Sequence, residues 1–397
     1  MATTERYRLS DGCKIRLNSS AFIWRHYMRE VTLFSFSFLH GRSSGTPSPH
    51  PQKQAPSAGI ISRRKALLAG LGGGVISLAP QMVQARPAHK HTIAHADAAL
   101  RVLTFSGRIC DIQKKILFAG YTRQTHHRII TSGWDGSLTA LQQQEKNSPK
   151  HWAAVMMENS SLAIGGSAGL LAPLPEDAAQ PNYSTSIDYA IAWDSSRFDT
   201  PPNWADFWDV ARHPGRRSLR RDPRTTLEIA LLADGVPSEM VYRTLNTQDG
   251  LIRAFRKLDQ LRPYIVWWST PEEAGQILKS GGALMGLAPT GEMLNTADGD
   301  TKRFGICWQQ RLQVRYGWGV PHSSATTATA LSFVSWLDQA QQQQAFSNAW
   351  PSLPSMRDMA VDTTLRHLAA PLVVDDIFWI NHLNIIAEHF EQWALRK

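Results

Sequence analysis

The sequence contains one motif with the pattern of a hydrolytic nucleophile. Residues 165–169 read Gly-Gly-Ser-Ala-Gly and match G-x-S-x-G, which presents a serine on a tight turn between a strand and a helix. That geometry requires a helix directly after the serine, whereas residues 170–175 contain two prolines, which interrupt helices. We therefore favour a glycine-rich loop before a short strand. A secreted hydrolase that uses Ser167 with His322 is the alternative function.

The cysteines and histidines do not indicate a metal site. Cys13, Cys110 and Cys307 lack metal-binding spacing, and we expect the last two to be buried thiols rather than a disulfide. Three histidines between residues 89 and 95 lie in a polar segment that we expect to be unfolded. We predict no metal ion, no cofactor and no catalytic residue.

Residues 62–96 have the organisation of an export signal. Residues 62–65 read Ser-Arg-Arg-Lys, and a weakly hydrophobic, glycine-rich stretch and then small residues follow. Paired arginines before so modest a hydrophobic region are typical of twin-arginine signal peptides, whose cargo folds before export. We predict cleavage after Ala85 or Ala96, a periplasmic location, and the twin-arginine translocase as export partner. An ordinary helix start with two basic residues is the alternative.

The net charge of +9 comes from the same end of the chain. Residues 1–96 contain 13 of the 42 basic residues and 3 of the 33 acidic residues, so the remainder is close to neutral. The basic balance therefore gives no reason to expect a nucleic-acid partner. We expect residues 1–61 to be a disordered extension or a misassigned translation start, and residues 62–96 to be the twin-arginine signal peptide and leader.

From Leu100 onwards, short apolar runs alternate with helical patterns, which is typical of an α/β fold with parallel strands. We predict strands at residues 100–105, 128–131, 152–157, 187–193, 217–220, 265–268 and 283–288. Helices are predicted at 111–119, 137–146, 225–233, 249–261, 271–279, 325–339 and 377–393, with an aromatic helical turn at 203–209. The length of 397 residues fits about two domains after removal of a leader.

Several unusual segments occur in an order that resembles one protein family. They are Leu-Thr-Phe-Ser-Gly at 103–107, Gly-Leu-Leu-Ala-Pro-Leu at 169–174, Asn-Trp-Ala-Asp-Phe-Trp-Asp at 203–209, residues 214–228, Arg-Ala-Phe-Arg-Lys-Leu-Asp at 253–259 and Trp-Trp-Ser at 267–269. Together they span about three quarters of the chain. The set resembles the extracellular solute-binding proteins of ABC importers, in the spermidine/putrescine-like group.

The resemblance implies an α/β, two-lobed type II periplasmic-binding-protein fold, with a hinge of crossover strands and a ligand cleft between the lobes. Lobe 1 would contain residues 97–192 and about 316–368, and lobe 2 residues 193–315 and about 369–397. Such a protein is expected to be a monomer. It captures a small solute, polyamine-like or another amine or zwitterion, by hinge closure and delivers it to the membrane subunits of an ABC permease.

The resemblance also implies ligand contacts at strand ends. Phe105 and Ser106 lie in the first of these loops, Asp222 matches an aspartate that pairs with an amine, and Ser269 follows the Trp-Trp strand. The alternative for Ser106 is a turn residue, and Asp222 is equally suited to cap the helix that begins at Pro223.

Other positions depart from a polyamine site. Pro-Thr-Gly-Glu at 289–292 stands where the family has Trp-Asn-Gly, and Tyr316 stands where it has a second amine-pairing aspartate. A tyrosine hydroxyl binds an amine without neutralising it, and Arg315 repels a dication. Arg315, Tyr316 and Trp318 suit an anionic, zwitterionic or neutral solute equally well. Glu292 is either a replacement carboxylate or a solvated loop residue, and a receptor fold that has lost its ligand is a further alternative.

Overall fold

The structure is a computed structural model that describes residues 99–147, 150–173, 183–198, 200–294, 304–350 and 367–396, together with Met359. The predicted export signal, its two cleavage sites and the three histidines lie outside the described residues. Among the helices that are described, none is long and apolar enough to cross a membrane.

Ten strands of the described chain form one mixed sheet. Its backbone order is β2-β1-β3-β9-β4-β7-β5-β6, with β8 paired to β4 and β10 paired to β9. The strands are β1 (Leu100–Thr104), β2 (Ile129–Gly133), β3 (Ala154–Glu158), β4 (Tyr183–Asp194), β5 (Arg217–Arg220), β6 (Ile265–Trp268), β7 (Met285–Pro289), β8 (Phe304–Ile306), β9 (Leu312–Gly319) and β10 (Leu372–Val373).

Two groups of parallel strands lie on either side of an antiparallel pair. β1 runs parallel to β2 and β3, and β5 runs parallel to β6 and β7. Between the groups, β9 is antiparallel to β3 and β4, and β4 is antiparallel to β7. The α/β fold class is confirmed. Parallel pairing holds within each group and is wrong for β4 and β9, because these strands carry the chain across from one group to the other.

The central parallel strands are buried on both faces, whereas the edge strands β2 and β6 are partly exposed. All five residues of β3 and all four of β5 are buried. Burial on both faces is expected for central parallel strands, since their crossover helices cover each side of the sheet. β3 is largely an apolar run, but β5 reads Arg-Ser-Leu-Arg and buries two arginines.

Helices follow the strands close to the predicted positions. A π-helical segment, Gln113–Phe118, joins the first two, so this region is longer than the predicted helix at 111–119. The helices are α1 (Arg108–Ile112), α2 (Ala119–Thr125), α3 (Leu138–Asn147), α4 (Asn159–Ser167), α5 (Trp204–Trp208), α6 (Pro223–Ala233), α7 (Val241–Leu245), α8 (Gln248–Leu261), α9 (Pro271–Lys279), α10 (Thr290–Met293), α11 (Thr327–Leu337), α12 (Ala340–Ala349) and α13 (Asp376–Ala394).

The final helix, α13, packs against helices that belong to both strand groups. Near its start, Asp376 accepts a hydrogen bond from Asn159 in α4, with Nδ2 and Oδ2 3.0 Å apart. One turn later, Trp379 donates its indole N–H to Glu228 in α6 at 2.8 Å. Because α4 follows β3 and α6 follows β5, α13 links the two groups.

Glu228 lies at the centre of this packing and is fully buried. Its Oε1 accepts hydrogen bonds from the Tyr242 hydroxyl at 2.7 Å and from Trp379 Nε1 at 2.8 Å. Burial raises the pKa of Glu228 from 4.5 to about 7, against the smaller lowering effect of these hydrogen bonds. The folded protein therefore holds a proton on Glu228 at pH values at which the unfolded chain has lost it.

This proton makes the stability of the protein depend on pH. Between pH 4.5 and 7 the native state binds more protons at Glu228 than the unfolded state does, so the free energy of unfolding falls as pH rises. Glu228→Gln keeps an oxygen for both hydrogen bonds and removes the titration. We expect its free energy of unfolding to equal that of the wild type near pH 4.5 and to exceed it above pH 7 by about 3 kcal/mol at most. Urea unfolding at four pH values measures this difference.

Glu239→Gln is the matched control, because Glu239 is exposed. It should leave the pH dependence of the unfolding free energy unchanged. If the curve of Glu228→Gln runs parallel to that of the wild type from pH 5 to pH 8, Glu228 does not hold the proton.

Candidate functional site

The carboxyl ends of the two parallel strand groups face each other. Glu158, the last residue of β3, forms ion pairs with Arg220, the last residue of β5, and with Arg224 just beyond it. Ligands of open α/β sheets bind outside the carboxyl ends of the strands. These contacts therefore locate the candidate site between the two groups.

Four charged side chains, Glu158, Arg220, Asp222 and Arg224, form what we call the ion cluster. Arg224 Nη1 lies 2.9 Å from Glu158 Oε2, and Arg224 Nη2 lies 2.6 Å from Asp222 Oδ2. Arg220 pairs with the same two carboxylates, with its Nη2 3.6 Å from Asp222 Oδ2. Each arginine contacts both acids, so the cluster is cross-linked and its formal charges cancel.

Hydroxyl groups extend the contacts of Arg224 to the first turn of α4. Arg224 Nη1 donates hydrogen bonds to Ser161 Oγ at 2.7 Å and to Ser160 Oγ at 3.2 Å. Since α4 follows β3, Arg224 reaches from one strand group to the other through hydrogen bonds as well as an ion pair.

An unusual backbone conformation directs Arg224 into the cluster. Asp222 caps α6 by accepting a hydrogen bond from the Arg224 backbone N–H at 2.8 Å, and Pro223 occupies the first helical position. Arg224 has a ψ of 139° and Thr225 a φ of 67°, so regular helix begins only after them. A β-branched residue at positive φ costs on the order of 1–3 kcal/mol, and such strain concentrates at ligand sites. The capping role of Asp222 is confirmed, and its ligand contact stays a prediction.

Mutual pairing keeps Asp222 and the two arginines ionised. Burial on its own raises the pKa of Asp222, but Arg224 and Arg220 lower it to about 2. Burial likewise lowers the pKa of Arg224, but Asp222 and Glu158 raise it above its ordinary value. Both arginines therefore remain charged and suited to an anionic group.

Three aromatic side chains border the ion cluster. The Tyr316 hydroxyl lies 3.2 Å from Glu158 Oε1 and 2.6 Å from the Tyr189 hydroxyl. The Phe105 ring contacts Tyr316 edge-on, with centroids 5.5 Å apart and an interplanar angle of 89°. Burial raises the pKa of Tyr189 to about 12, so this tyrosine is a neutral hydrogen-bonding group.

The other predicted contact residues have different surroundings. Ser106 is partly buried in the loop after β1. Ser269 is exposed, and its backbone N–H donates to Glu273 at the start of α9 at 2.7 Å. Trp318 is buried and packs against Phe333 and a second phenylalanine, so it belongs to the apolar core. Of the predicted residues, the structure thus brings Phe105, Asp222 and Tyr316 to the ion cluster.

Glu292 is buried, and the alternative of a solvated loop residue is wrong. Its exposed fraction is 5%, and it lies in α10, directly after β7. The packing of α10 against α9 and α1 buries most of this side chain. Glu292 lines a cavity of about 560 Å³ that also includes Arg108 of α1 and Lys279 of α9. Burial raises the pKa of Glu292 to about 7.

The predicted contact residues omit Glu158, Arg220 and Arg224. Each lies at or just after the end of a strand, which is where side chains of an α/β sheet meet ligands. The sequence offers a second signal for the site, because two arginines flank Asp222 at such a position. It does not show that Glu158 is the partner of these arginines, because Glu158 belongs to a different βα unit.

The G-x-S-x-G motif does not form a nucleophile turn. Ser167 is the last residue of α4, and Gly169 follows it with a φ of 71°. A nucleophile elbow needs the serine at the start of a helix. The predicted glycine-rich loop is therefore wrong for residues 165–167. Among the described residues, no group of acids, histidines and cysteines is arranged to hold a metal ion, and Cys110 and Cys307 are buried free thiols.

Comparison with known proteins identifies the family to which this chain is similar. The family model for bacterial extracellular solute-binding proteins matches residues 118–367. The gamma-aminobutyric acid-binding protein of Pseudomonas aeruginosa is 30% identical over 322 residues, which cover 75% of this chain and 91% of that relative.

Solved structures of periplasmic binding proteins have the same fold. MotA from A. tumefaciens B6, in complex with glucopine, is 22% identical with a TM-score of 0.66 and covers 75% of this chain and 100% of its own. AgtB from A. tumefaciens R10, in complex with agropinic acid, is 19% identical with a TM-score of 0.64 and covers 76% of this chain and 100% of its own. The two strand groups correspond to the two-lobed type II fold of these proteins.

Removing one acid from the ion cluster is expected to destabilise the protein strongly. Glu158→Gln leaves two buried arginines with a single carboxylate, and we expect the free energy of unfolding to fall by about 3 kcal/mol, because an unpaired buried charge is costly. Urea unfolding at pH 7 measures this change.

An exposed ion pair provides the control. Glu391 Oε2 lies 2.9 Å from Arg221 Nη2, and the two side chains are 50% and 37% exposed. Glu391→Gln should cost less than about 1 kcal/mol, and 0.5 M NaCl should abolish that difference. Equal losses in the two variants would show that burial adds nothing to the cluster.

Proposed function

This chain belongs to the family of bacterial extracellular solute-binding proteins, and on that basis we propose that it captures a small zwitterionic amino acid between its two lobes. Members of this family are not enzymes. They bind a small solute outside the cytoplasm and hand it to an ABC permease. The proposal concerns the chemical class of the solute, for which gamma-aminobutyric acid is the model compound, and its position.

The observation that carries the proposal is the ion cluster at the facing strand ends. Arg220 and Arg224 are fixed, buried and charged, and planar guanidinium groups hold a carboxylate through paired hydrogen bonds. Ser160 and Ser161 add polar oxygens beside Arg224. A carboxylate that enters between the lobes replaces part of the pairing that Glu158 and Asp222 now provide.

Charge balance favours a zwitterion over a polyamine. The two arginines and two acids of the cluster are neutral in sum, so a zwitterion leaves the buried charge unchanged. A polyamine adds at least two positive charges next to Arg220 and Arg224, and buried like charges repel strongly. The relative that binds gamma-aminobutyric acid has a solute of the favoured class.

The strained loop supports a ligand-binding role for this region. Thr225 is fully buried at a φ of 67°, and its hydroxyl donates to the Arg224 carbonyl at 2.5 Å. A sequence that only needed to start a helix after Asp222 would avoid this cost. The strain places the Arg224 side chain across the boundary between the lobes, where it meets Glu158.

Lobe boundaries and export belong to the same proposal. We assign residues 97–192 and about 316–368 to lobe 1, and residues 193–315 and about 369–397 to lobe 2, with β4 and β9 as the crossover strands. Residues 62–96 act as a twin-arginine signal peptide and leader, and the exported protein works as a monomer.

Solute binding by the purified full chain tests the proposal. We expect gamma-aminobutyric acid to bind with one-to-one stoichiometry in isothermal titration calorimetry at pH 7.5, and putrescine to give no binding heat. Arg224→Lys keeps the charge but loses the paired geometry. We expect it to weaken binding at least about thirtyfold, because a buried charge-assisted contact contributes 2 kcal/mol or more.

Arg253→Lys is the matched control, since Arg253 pairs with Asp234 on the surface and is 46% exposed. It should bind gamma-aminobutyric acid like the wild type, and thermal melting checks that both variants fold. Tighter binding of putrescine than of gamma-aminobutyric acid would refute the solute class. Unchanged affinity in Arg224→Lys would refute the position.

Replacement of Arg63 and Arg64 by lysine tests export. We expect the wild-type protein in the periplasmic fraction with a new N-terminus at residue 86 or 97, because the translocase requires both arginines. The double variant should remain in the cytoplasm as the uncleaved precursor. A variant that is exported and processed normally would show that the paired arginines do not serve as the signal.

A further inference from the structure

Glu292 is a buried acid with an available acceptor. Its side chain is 5% exposed, and the backbone N–H of Ile109 donates a hydrogen bond to its carboxylate. Its Oε1 is buried and has no hydrogen-bond partner among the described residues. A buried polar atom of this kind normally has a partner.

The cavity beside Glu292 has the size and position of a solute compartment. It measures about 560 Å³ and lies between the first helical region of lobe 1 and α9 of lobe 2. The two sides approach closely at Gly107, where an added Cβ would come within 2.9 Å of the Glu272 Cβ. Ile112 and Ile116 contribute apolar surface to the lining, which suits methylene groups.

Glu292 differs from the other acids of the site because its Oε1 has neither a hydrogen-bond partner nor an ion-pair partner among the described residues. Glu158 and Asp222 are both paired with arginines. Asp111 has a side chain that is 78% exposed and lies 3.9 Å from Lys114. Glu272 accepts a hydrogen bond from Gln276 at 3.1 Å.

The fold brings Glu292 and Arg224 out of the sheet at the same edge. β5 and β7 are hydrogen-bonded neighbours in parallel register, with Ser218 opposite Gly286. β5 ends at Arg220 and β7 at Pro289, so Arg224 and Glu292 both follow the carboxyl ends of neighbouring parallel strands, at the same edge of the sheet. A basic and an acidic group therefore follow the sheet at the edge where ligands of α/β sheets bind.

We propose that Glu292 receives the ammonium group of the solute, whose carboxylate lies at Arg220 and Arg224. This inference rests on the proposed function and names the residue that selects for the amine. The methylene chain lies along the lobe boundary, and Glu292 Oε1 accepts a hydrogen bond from the ammonium group.

An ammonium group binds the ionised form of Glu292, so affinity should depend on pH. The charged groups that face Glu292 are Arg108, Asp111 and Lys115 from the first helical region and Glu272 and Lys279 from α9. None of these is a histidine, the residue type that ordinarily changes charge near neutral pH. Because burial places the pKa of Glu292 at about 7, its ionised fraction, and with it the affinity, should rise about tenfold from pH 6 to pH 8.

Calorimetry with matched ligands tests the role of Glu292 in the full chain. The ligands are gamma-aminobutyric, 5-aminopentanoic and 6-aminohexanoic acids, together with the alkanoic acids of equal length that lack the amine. In the wild type, we expect the amino acid of one chain length to bind best, and we expect its affinity to rise about tenfold from pH 6 to pH 8. Glu292→Gln should lose that gain and bind the amino acids at least about tenfold more weakly at pH 8, while its alkanoate affinities stay unchanged.

Asp111→Asn, which changes an exposed acid of the same cavity, should keep the wild-type pH profile. Glu292→Asp should retain part of the pH dependence, which separates a charge effect from misfolding.

If Glu292→Gln binds amino acids like the wild type while Arg224→Lys does not, Glu292 is not the acceptor and the proposed function stands. If alkanoates bind the wild type as tightly as amino acids, the ammonium group does not contribute to binding, and the cavity beside Glu292 holds only water. If no amino acid binds the wild type, the proposed function fails and this inference fails with it.

Discussion

The pairing of Glu158 with Arg220 and Arg224 is the constraint on which the arrangement of the two lobes depends. Moving a charged group out of water costs several kcal/mol, so each of the four members of the ion cluster needs close partners of opposite sign. Arg224 meets this need with Asp222 and Glu158 at 2.6 and 2.9 Å. Because Asp222 and Glu158 come from different strand groups, satisfying Arg224 requires those groups to meet end to end.

The crossover strands hold this geometry through a second buried ion pair. Arg311 Nε lies 3.0 Å from Asp188 Oδ2, and Gln313 donates to the other oxygen of Asp188 at 3.1 Å. Asp188 lies in β4, directly opposite Gln313 in β9. A shift of one residue would move Asp188 to the opposite face of the sheet from its partner, so the polar contacts fix the register on which the lobes are placed.

Sequence reasoning found the framework more readily than the site. β1 and β6 and the helices α8, α9 and α13 are close to their predicted bounds, because each depends on a local apolar pattern. The antiparallel pairing of β4 with β9 and the contacts of Glu158 depend on residues far apart in the chain, which no local pattern reveals. The sequence favours a solvated loop position for Glu292, and only the packing of α10 against α1 and α9 shows its burial.

In the proposed function, the neutrality of the ion cluster also bears on how the lobes would open and close. A buried, well-paired set of charges is close in free energy to the same charges in water, because the loss of hydration nearly cancels the attraction. In that proposal, separation of Glu158 from Arg224 on opening returns both groups to water, and their hydration offsets much of the lost attraction. A solute shifts such an equilibrium by the difference in its affinity for the two states. In the proposed binding mode, a carboxylate held by Arg220 and Arg224 is fully enclosed only when Glu158 and α4 approach, so its binding would favour the closed state.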